Sequence, residues 1–291
     1  MMDFIDRHLR HWTLLPAVIL LLVLTVYPTI NLIAMAVSTI EFTFEGEFWS
    51  FTPGRNFSLL FNDEVFRIAL INTVIFVVVT VSIEMVLGFA LALLVSGVPR
   101  AKGLMRTAMI IPILVPPVAI GSMWKLMYNY DFGIFNQVLE FFGLPAVGWL
   151  SNPNIALISV IIMDIWHWVP FVFLILFASV EGLPKEILEA SRVDGATTWQ
   201  TVRRIIIPMM APALMVAFLF RTIFAFKVFD QIYLLTSGGP GTSTEVVTLH
   251  LYRVFFAQNE LGYGALLSIV IILAIVVFIV TTRRALAAGR P

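Results

Sequence analysis

Long hydrophobic runs separated by short polar stretches make up most of the chain. Six runs stand out, at about residues 12–37, 68–95, 107–128, 155–180, 205–235 and 263–281. At about 1.5 Å per residue, each is long enough to cross a ~30 Å hydrocarbon layer. Backbone inside lipid must satisfy its own hydrogen bonds, so the pattern predicts helices. Prolines interrupt four of the runs: Pro16 and Pro28; Pro112 with Pro116-Pro117; Pro170; and Pro208 with Pro212. They predict kinks around a pathway, or else reflect ordinary proline usage in membrane helices. The first run is too long for a signal-peptide core and no small-residue cleavage site follows it, so it is read as retained. The expected fold is an all-α integral membrane protein: six transmembrane helices in one domain spanning 1–291. Residues 38–66 and 129–154 read as short ordered loops. Residues 244–257 read as an amphipathic helix capped by Thr244 and lying at the interface.

Composition agrees. Sixty per cent of the 291 residues are hydrophobic and 12% charged, against about 25% charged in a soluble domain. Such a chain cannot cover a soluble surface with polar groups. The absence of cysteine excludes disulfides, thiolate metal sites and cysteine nucleophiles. Lys+Arg and Asp+Glu balance at 18 each, which gives no sign of nucleic acid. Their placement carries more. With a cytoplasmic N-terminus, the inner segments hold Arg7, Arg10, Arg100, Lys102, Arg106, Lys185, Arg192, Arg203, Arg204, Arg283, Arg284 and Arg290. The outer ones hold only Arg55, Arg67 and Arg253. That bias predicts that both termini are cytoplasmic. The outer loops are acidic, with Glu41, Glu45, Glu47, Asp63, Glu64, Asp131, Glu140, Glu245 and Glu260.

Between the fourth and fifth runs, at about 181–204, lies a polar segment that reads as helix, sharp turn, helix. Pro184 suits a helix start and Gly195 a left-handed helix end. Thr197 with Gln200 matches a capping box. From these features alone it is a well-ordered loop or a cytoplasmic elbow. Within it, Glu189-Ala190-Ser191, Asp194-Gly195-Ala196, Ile205 and Pro208 resemble the EAA loop of binding-protein-dependent ABC importer permeases. Ser191 stands for the second Ala, Ile207 for a Leu, and Val202 where a Phe is frequent. Leu235-Thr236-Ser237-Gly238-Gly239-Pro240 followed by Thr244-Glu245 resembles the L-T-x-G-G-P…T-E signature of the carbohydrate branch, the maltose, glycerol-phosphate and polyol type permeases. The resemblance covers essentially the whole chain.

It implies a type I importer, in which a second permease subunit (a heterodimer) shares the pathway. An ATPase dimer below would bind ATP and Mg. A periplasmic or surface solute-binding protein would deliver the solute in a bacterial or archaeal cytoplasmic membrane. Glu189, Ala190, Ser191, Asp194, Gly195 and Ala196 would form the ATPase-coupling elbow. The sequence has no G-x-x-x-x-G-K phosphate loop, so the energy source belongs on another chain. No cofactor, metal ligand or catalytic residue is assigned to this one.

Six ionisable residues fall within the runs: Glu84, Lys125, Asp164, Arg221, Lys227 and Asp230. Each costs about 2.5–3.5 kcal/mol at a helix centre on insertion scales, so pairing or a wet cavity is expected. Counting from the outer run ends places Asp164 and Lys227 roughly 12–14 Å deep, with Asp230 one turn above Lys227. Glu84 and Arg221 fall at about 21–24 Å, which predicts an intramembrane ion pair. His167, Trp166, Trp168 and Gln231 cluster near the shallower charges. Charged groups, an amide and aromatic faces at one depth suit a polyhydroxy solute, and Asp164, His167, Trp168, Lys227, Asp230 and Gln231 are the candidate contacts. Aligning on Pro170 and Gly238-Gly239-Pro240, the resemblance points to the same region, although Val228 stands where a polar residue is expected. The alternative is that these charges pair with the partner permease and hold the bundle together. The mix of signs favours a neutral sugar, polyol or glycerol over a phosphate ester, which would call for several Arg donors. Importers of amino acids, peptides or phosphate are the alternative within the superfamily. An intramembrane enzyme using Asp164 and His167 as an acid–base pair lacks any nucleophile motif to accompany it.

Overall fold

The computed structural model describes residues 2–44, 46–98 and 102–288, with side chains between residues 13 and 284. Glu45, Arg100 and Arg290 lie outside the described residues, as do the side chains of Arg7, His8, Arg10 and His11. In chain order the elements are α1 (Met2–Ala36), β1 (Ser38–Thr43), β2 (Gly46–Phe51), α2 (Pro53–Asn62), α3 (Glu64–Ser96) and α4 (Lys102–Leu114). There follow α5 (Pro117–Met127), α6 (Ile134–Phe141), α7 (Pro153–Glu181), α8 (Lys185–Val193) and α9 (Thr198–Thr201). The chain ends with α10 (Ile207–Phe226), α11 (Asp230–Leu235), α12 (Val247–Tyr252) and α13 (Leu261–Ala288). Single π-helical turns join α9 to α10 (Val202–Ile206) and extend α12 (Arg253–Ala257). Among the described residues five helices are long and apolar enough to cross a membrane, and α4 with α5 makes a sixth crossing if the bent pair is one span. The chain is therefore a multi-pass, mainly helical membrane protein.

Contacts divide the chain into two compact units. One comprises the residues up to Asp63 and those from Leu251 onward. Its core joins Ala36 of α1 to Ala265 and Leu266 of α13. The buried Asn56 amide donates to the carbonyls of Ala36 and Ser38, at 2.9 and 3.0 Å, closing the end of α1. Arg55 grips Glu260 with two hydrogen bonds of 3.0 and 2.9 Å, and that carboxylate raises the guanidinium above its ordinary value. Residues 38–51, expected to be loop, form an antiparallel hairpin that pairs Ile40 with Trp49 and Phe42 with Glu47. β-branched and aromatic residues flanking a turn at Gly46 favour such a ladder.

The second unit, Glu64–His250, holds the candidate site. Its core runs between α3, α7 and α10 through Ala92, Phe173, Leu176, Met210 and Ala217. Gly88 sets the approach of α3 to α7, because a Cβ there would stand 2.7 Å from Val172 Cγ1. Small residues at helix contacts permit this closeness in membrane bundles. The expected third span is sharply bent, with α4 and α5 meeting at 93°. Pro116 and Pro117 supply no amide hydrogen, and the residue before a proline avoids helical backbone. Residues 129–154 fold around α6, where Asn136 accepts from the Trp149 indole at 2.8 Å and donates to the Tyr130 and Val147 carbonyls.

The fifth span also departs from expectation. It runs from Thr198 to Phe226 and stops nine residues short of Leu235. After the break, α11 buries Ile232 and Leu235 and lays Leu234 over Gly121 of α5. The Thr248 hydroxyl donates to the Val228 carbonyl exposed at the break. Thr244 does not cap a helix: its hydroxyl donates to Gly239 O at 2.8 Å, and α12 begins at Val247. The segment after it is helical, with Val247, Leu249, His250 and Val254 buried and Tyr252, Phe256 and Ala257 exposed.

Replacing Gly88 with Leu forces α3 and α7 apart. Overpacking typically costs about 1–3 kcal/mol, so Gly88→Leu should lower the melting temperature of the detergent-solubilised protein, whereas Gly103→Leu, in open space on α4, should leave it near wild type.

Candidate functional site

Three helices each bring one charged group to the same buried point: Glu84 from α3, Asp164 from α7 and Arg221 from α10. All three are at most 1% exposed. Arg221 Nη2 donates to Glu84 Oε1 at 2.9 Å. Its Nε also bonds Glu84 Oε2, and the same Nη2 bonds Asp164 Oδ2. A guanidinium fork meets a carboxylate bidentately, and here it has a donor left for a second one. The Trp168 ring lies 5.1 Å from the guanidinium carbon, within cation–π range. Trp168 in turn stacks on Phe224 at 5.1 Å and meets Phe171 edge-on.

Asp164 was expected at the depth of Lys227, well above Arg221. The structure brings it to Arg221 instead. Counting depth from Leu235 sets Arg221 too deep, because α10 ends at Phe226.

Beside this triad is a cleft of about 160 Å³ whose lining includes Asp164, Trp168, Phe224, Lys227, Asp230 and Gln231. Five of the six expected solute contacts therefore share one cavity. They do so by a route the sequence did not show. Lys227 caps the end of α10 while Asp230 opens α11, so the two are not successive turns of one helix. Both are exposed and Gln231 is buried. The sixth residue, His167, is not part of the lining: it is 3% exposed, its ring lies 5.1 Å from that of Trp168, and its Nδ1 finds no hydrogen-bond partner among the described residues.

The G-G-P segment between α11 and α12 is held by a residue the sequence reading missed. Asn72 of α3 donates its amide to the carbonyls of Thr242, Ser243 and Glu245, at 3.1, 3.3 and 2.9 Å. Its neighbour Thr73 accepts from the Val247 N–H at 3.0 Å. A single asparagine near the end of a long apolar run was the only available signal.

The polar segment after α7 forms the expected elbow shape. Gly195 follows α8 at φ +74, and the Ala196 N–H returns to Ser191 O at 3.0 Å, the closure a left-handed glycine permits. The Thr197–Gln200 capping box forms in both directions, at 2.8 and 3.3 Å. Ser191 is buried and bonds Leu188 O, while Glu189, Ala190, Asp194 and Gly195 are exposed and Ala196 is partly covered. Val193 and Trp199, also missed, are 87% and 68% exposed on the same elbow.

The comparisons identify the family. Residues 84–288 match the family described as the binding-protein-dependent transport system inner membrane component. The chain belongs to that family. It is the membrane-spanning component of a transporter. It is 32% identical over 273 residues to the trehalose/maltose transport system permease protein MalF of Thermococcus litoralis, covering 94% of this chain and 92% of that one. To the sulfoquinovosyl glycerol transport system permease protein SmoG of Agrobacterium fabrum it is 32% identical over 271 residues, covering 92% and 87%. Its fold matches a chain of a bacterial ABC transporter involved in import of the acidic polysaccharide alginate, with a TM-score of 0.84 at 23% identity over 99% and 98% of the two chains.

Within this transport subunit the triad sets a clear stability order. Removing one partner of a buried ion pair typically costs about 3–5 kcal/mol, because it strands the other charge. Arg221→Met strands two carboxylates and should depress the melting temperature most. Glu84→Gln or Asp164→Asn leaves one carboxylate on Arg221 and should cost less. The triple variant should recover much of the Arg221→Met loss, seen as coupling in a mutant cycle.

Proposed function

We propose that this chain is one of two permease subunits lining the pathway of an ATP-driven importer for a neutral sugar, polyol or glycerol-type solute. The cleft at the α10–α11 break carries the reading. It combines an aromatic face (Trp168) with a cation, a carboxylate and an amide (Lys227, Asp230 and Gln231). Such a set exchanges hydrogen bonds with hydroxyls and stacks against a sugar's C–H face. Arg221 stays with Glu84 and Asp164, so among the described residues Lys227 is the one cation free for the solute in this cleft. A single cation flanked by carboxylates favours a neutral solute over a phosphate ester. The trehalose and maltose named for one relative are of that class.

The remaining parts follow from the same reading. A second permease, a different chain, completes the pathway. An ATPase dimer holds ATP and Mg and hydrolyses it; this sequence has no phosphate loop. A solute-binding protein delivers from outside. The surplus of Lys and Arg on alternate loops supports cytoplasmic termini in a bacterial or archaeal cytoplasmic membrane. The elbow then faces the ATPase, with Glu189, Ala190, Asp194, Val193 and Trp199 available to it and Ser191, Gly195 and Ala196 shaping the turn.

Uptake by the complete importer in liposomes tests the cleft. Lys227→Met, Asp230→Asn and Gln231→Ala should each slow uptake while the binding protein's affinity is unchanged. Wild-type uptake by the triple variant would reject the cleft as the solute's route.

Coupling has a separate test. Gly195→Pro removes the amide that bonds Arg192 O and cannot adopt φ +74. The variant should insert normally, yet uptake should fall to background and ATP hydrolysis should no longer respond to the loaded binding protein. Normal stimulation would exclude docking through this elbow.

A further inference from the structure

A second cavity lies apart from the solute cleft, where α4 meets the far end of α7. It measures about 550 Å³, within the ~300–1,000 Å³ range of ligand-binding clefts. One wall is apolar, built from Leu174, Phe177 and Ala178 of α7. The α4 side is open at Gly103, where a Cβ would meet no atom within 4 Å. Two cations, Lys102 and Arg106, stand at the rim, with a single carboxylate, Glu181. Glu181 is taken by Lys102 at 2.7 Å, and the ammonium also sits 5.9 Å above the Phe177 ring. Arg106 is exposed and has no carboxylate within ion-pair distance among the described residues. One positive charge is therefore left over at the edge of an apolar wall.

We propose that this groove is a binding site for an anionic phospholipid. The phosphate sits between Arg106 and Lys102, and one acyl chain lies along Leu174, Phe177 and Ala178. Both features are needed to choose the ligand. A free phosphate answers the charge but leaves the apolar wall uncovered. A zwitterionic lipid covers the wall, but its ammonium opposes the unpaired guanidinium. An anionic lipid satisfies both, and basic pockets between membrane helices are where such headgroups bind. Phe177 belongs to the α3–α7–α10 core, so the lipid would rest on the same helix that leads into the elbow. The site is independent of which solute the importer carries.

The test uses the assembled importer in nanodiscs, with two photoactivatable probes of identical acyl chain: phosphatidylglycerol and phosphatidylcholine. The phosphatidylglycerol probe should label residues 102–106 and 174–181 several-fold more than the phosphatidylcholine probe. Arg106→Gln should cut that preference about fivefold, the weight of one cation near a headgroup. Arg106→Lys should keep most of it. Equal labelling by the two probes, unaffected by Arg106→Gln, would overturn the site. So would displacement of the lipid by millimolar inorganic phosphate, which would make it a small-anion site. Absence of label from both probes would overturn it as well, because another subunit would then occupy the groove. If Arg106→Gln does not assemble, the two probes on the wild-type importer still decide.

Discussion

A guanidinium sealed among apolar helices must keep its partners, and Arg221 is the point on which the second unit depends. Its two carboxylates come from different helices, so one side chain ties α10 to both α3 and α7. In a low-dielectric interior such contacts are strong, and the cost of leaving any one group alone is large. The three helices are therefore held in one register by charge as well as by the packing of Gly88 on Val172. Apolar packing between membrane helices is weakly directional, because lipid is as apolar as the side chains. The ionic contact supplies the direction.

That register links the cleft to the elbow. Trp168 lies one turn beyond Asp164 on α7 and forms part of the cleft, so the floor of the cleft is set by the triad. Further along the same helix, α7 runs from Asp164 to Glu181, about 26 Å at the helical rise, and enters the elbow. The elbow returns through the π turn at Val202–Ile206 into α10, which carries Arg221. The two helices that support the elbow are thus bonded to each other beside the cleft. The elbow and the cleft are joined through two packed helices.

Much of this was legible in the sequence, because lipid imposes simple rules. Apolar run length gave the long helices, Pro116-Pro117 marked the broken span, and Thr197 with Gln200 marked the capping box. The pairing of Glu84 with Arg221 was expected from charge balance and depth. The second carboxylate on Arg221 was not, because nothing in 205–235 announces that α10 stops at Phe226. The break contains no proline or glycine; it follows from α11 packing on α5 and from Thr248 reaching the Val228 carbonyl, both tertiary contacts. The hairpin at 38–51 reads as loop in the sequence because short alternating strands carry a weak signal beside long apolar helices. Asn72 and Trp199 are inconspicuous in the sequence for a similar reason: one polar residue in an apolar run, or one tryptophan in a polar loop, gains meaning only from what surrounds it in space.

In the proposed importer Arg221 serves as a fixed joint while the neighbouring cleft handles the solute. Cryo-electron microscopy of the complete importer, with solute trapped between the two permeases, tests it most directly. The account predicts solute density against Trp168 and within hydrogen-bond reach of Gln231 or Asp230, with Arg221 still bonded to both Glu84 and Asp164. Solute lying between Arg221 and Asp164 with their contact broken, or lying away from the α10–α11 break altogether, would contradict it.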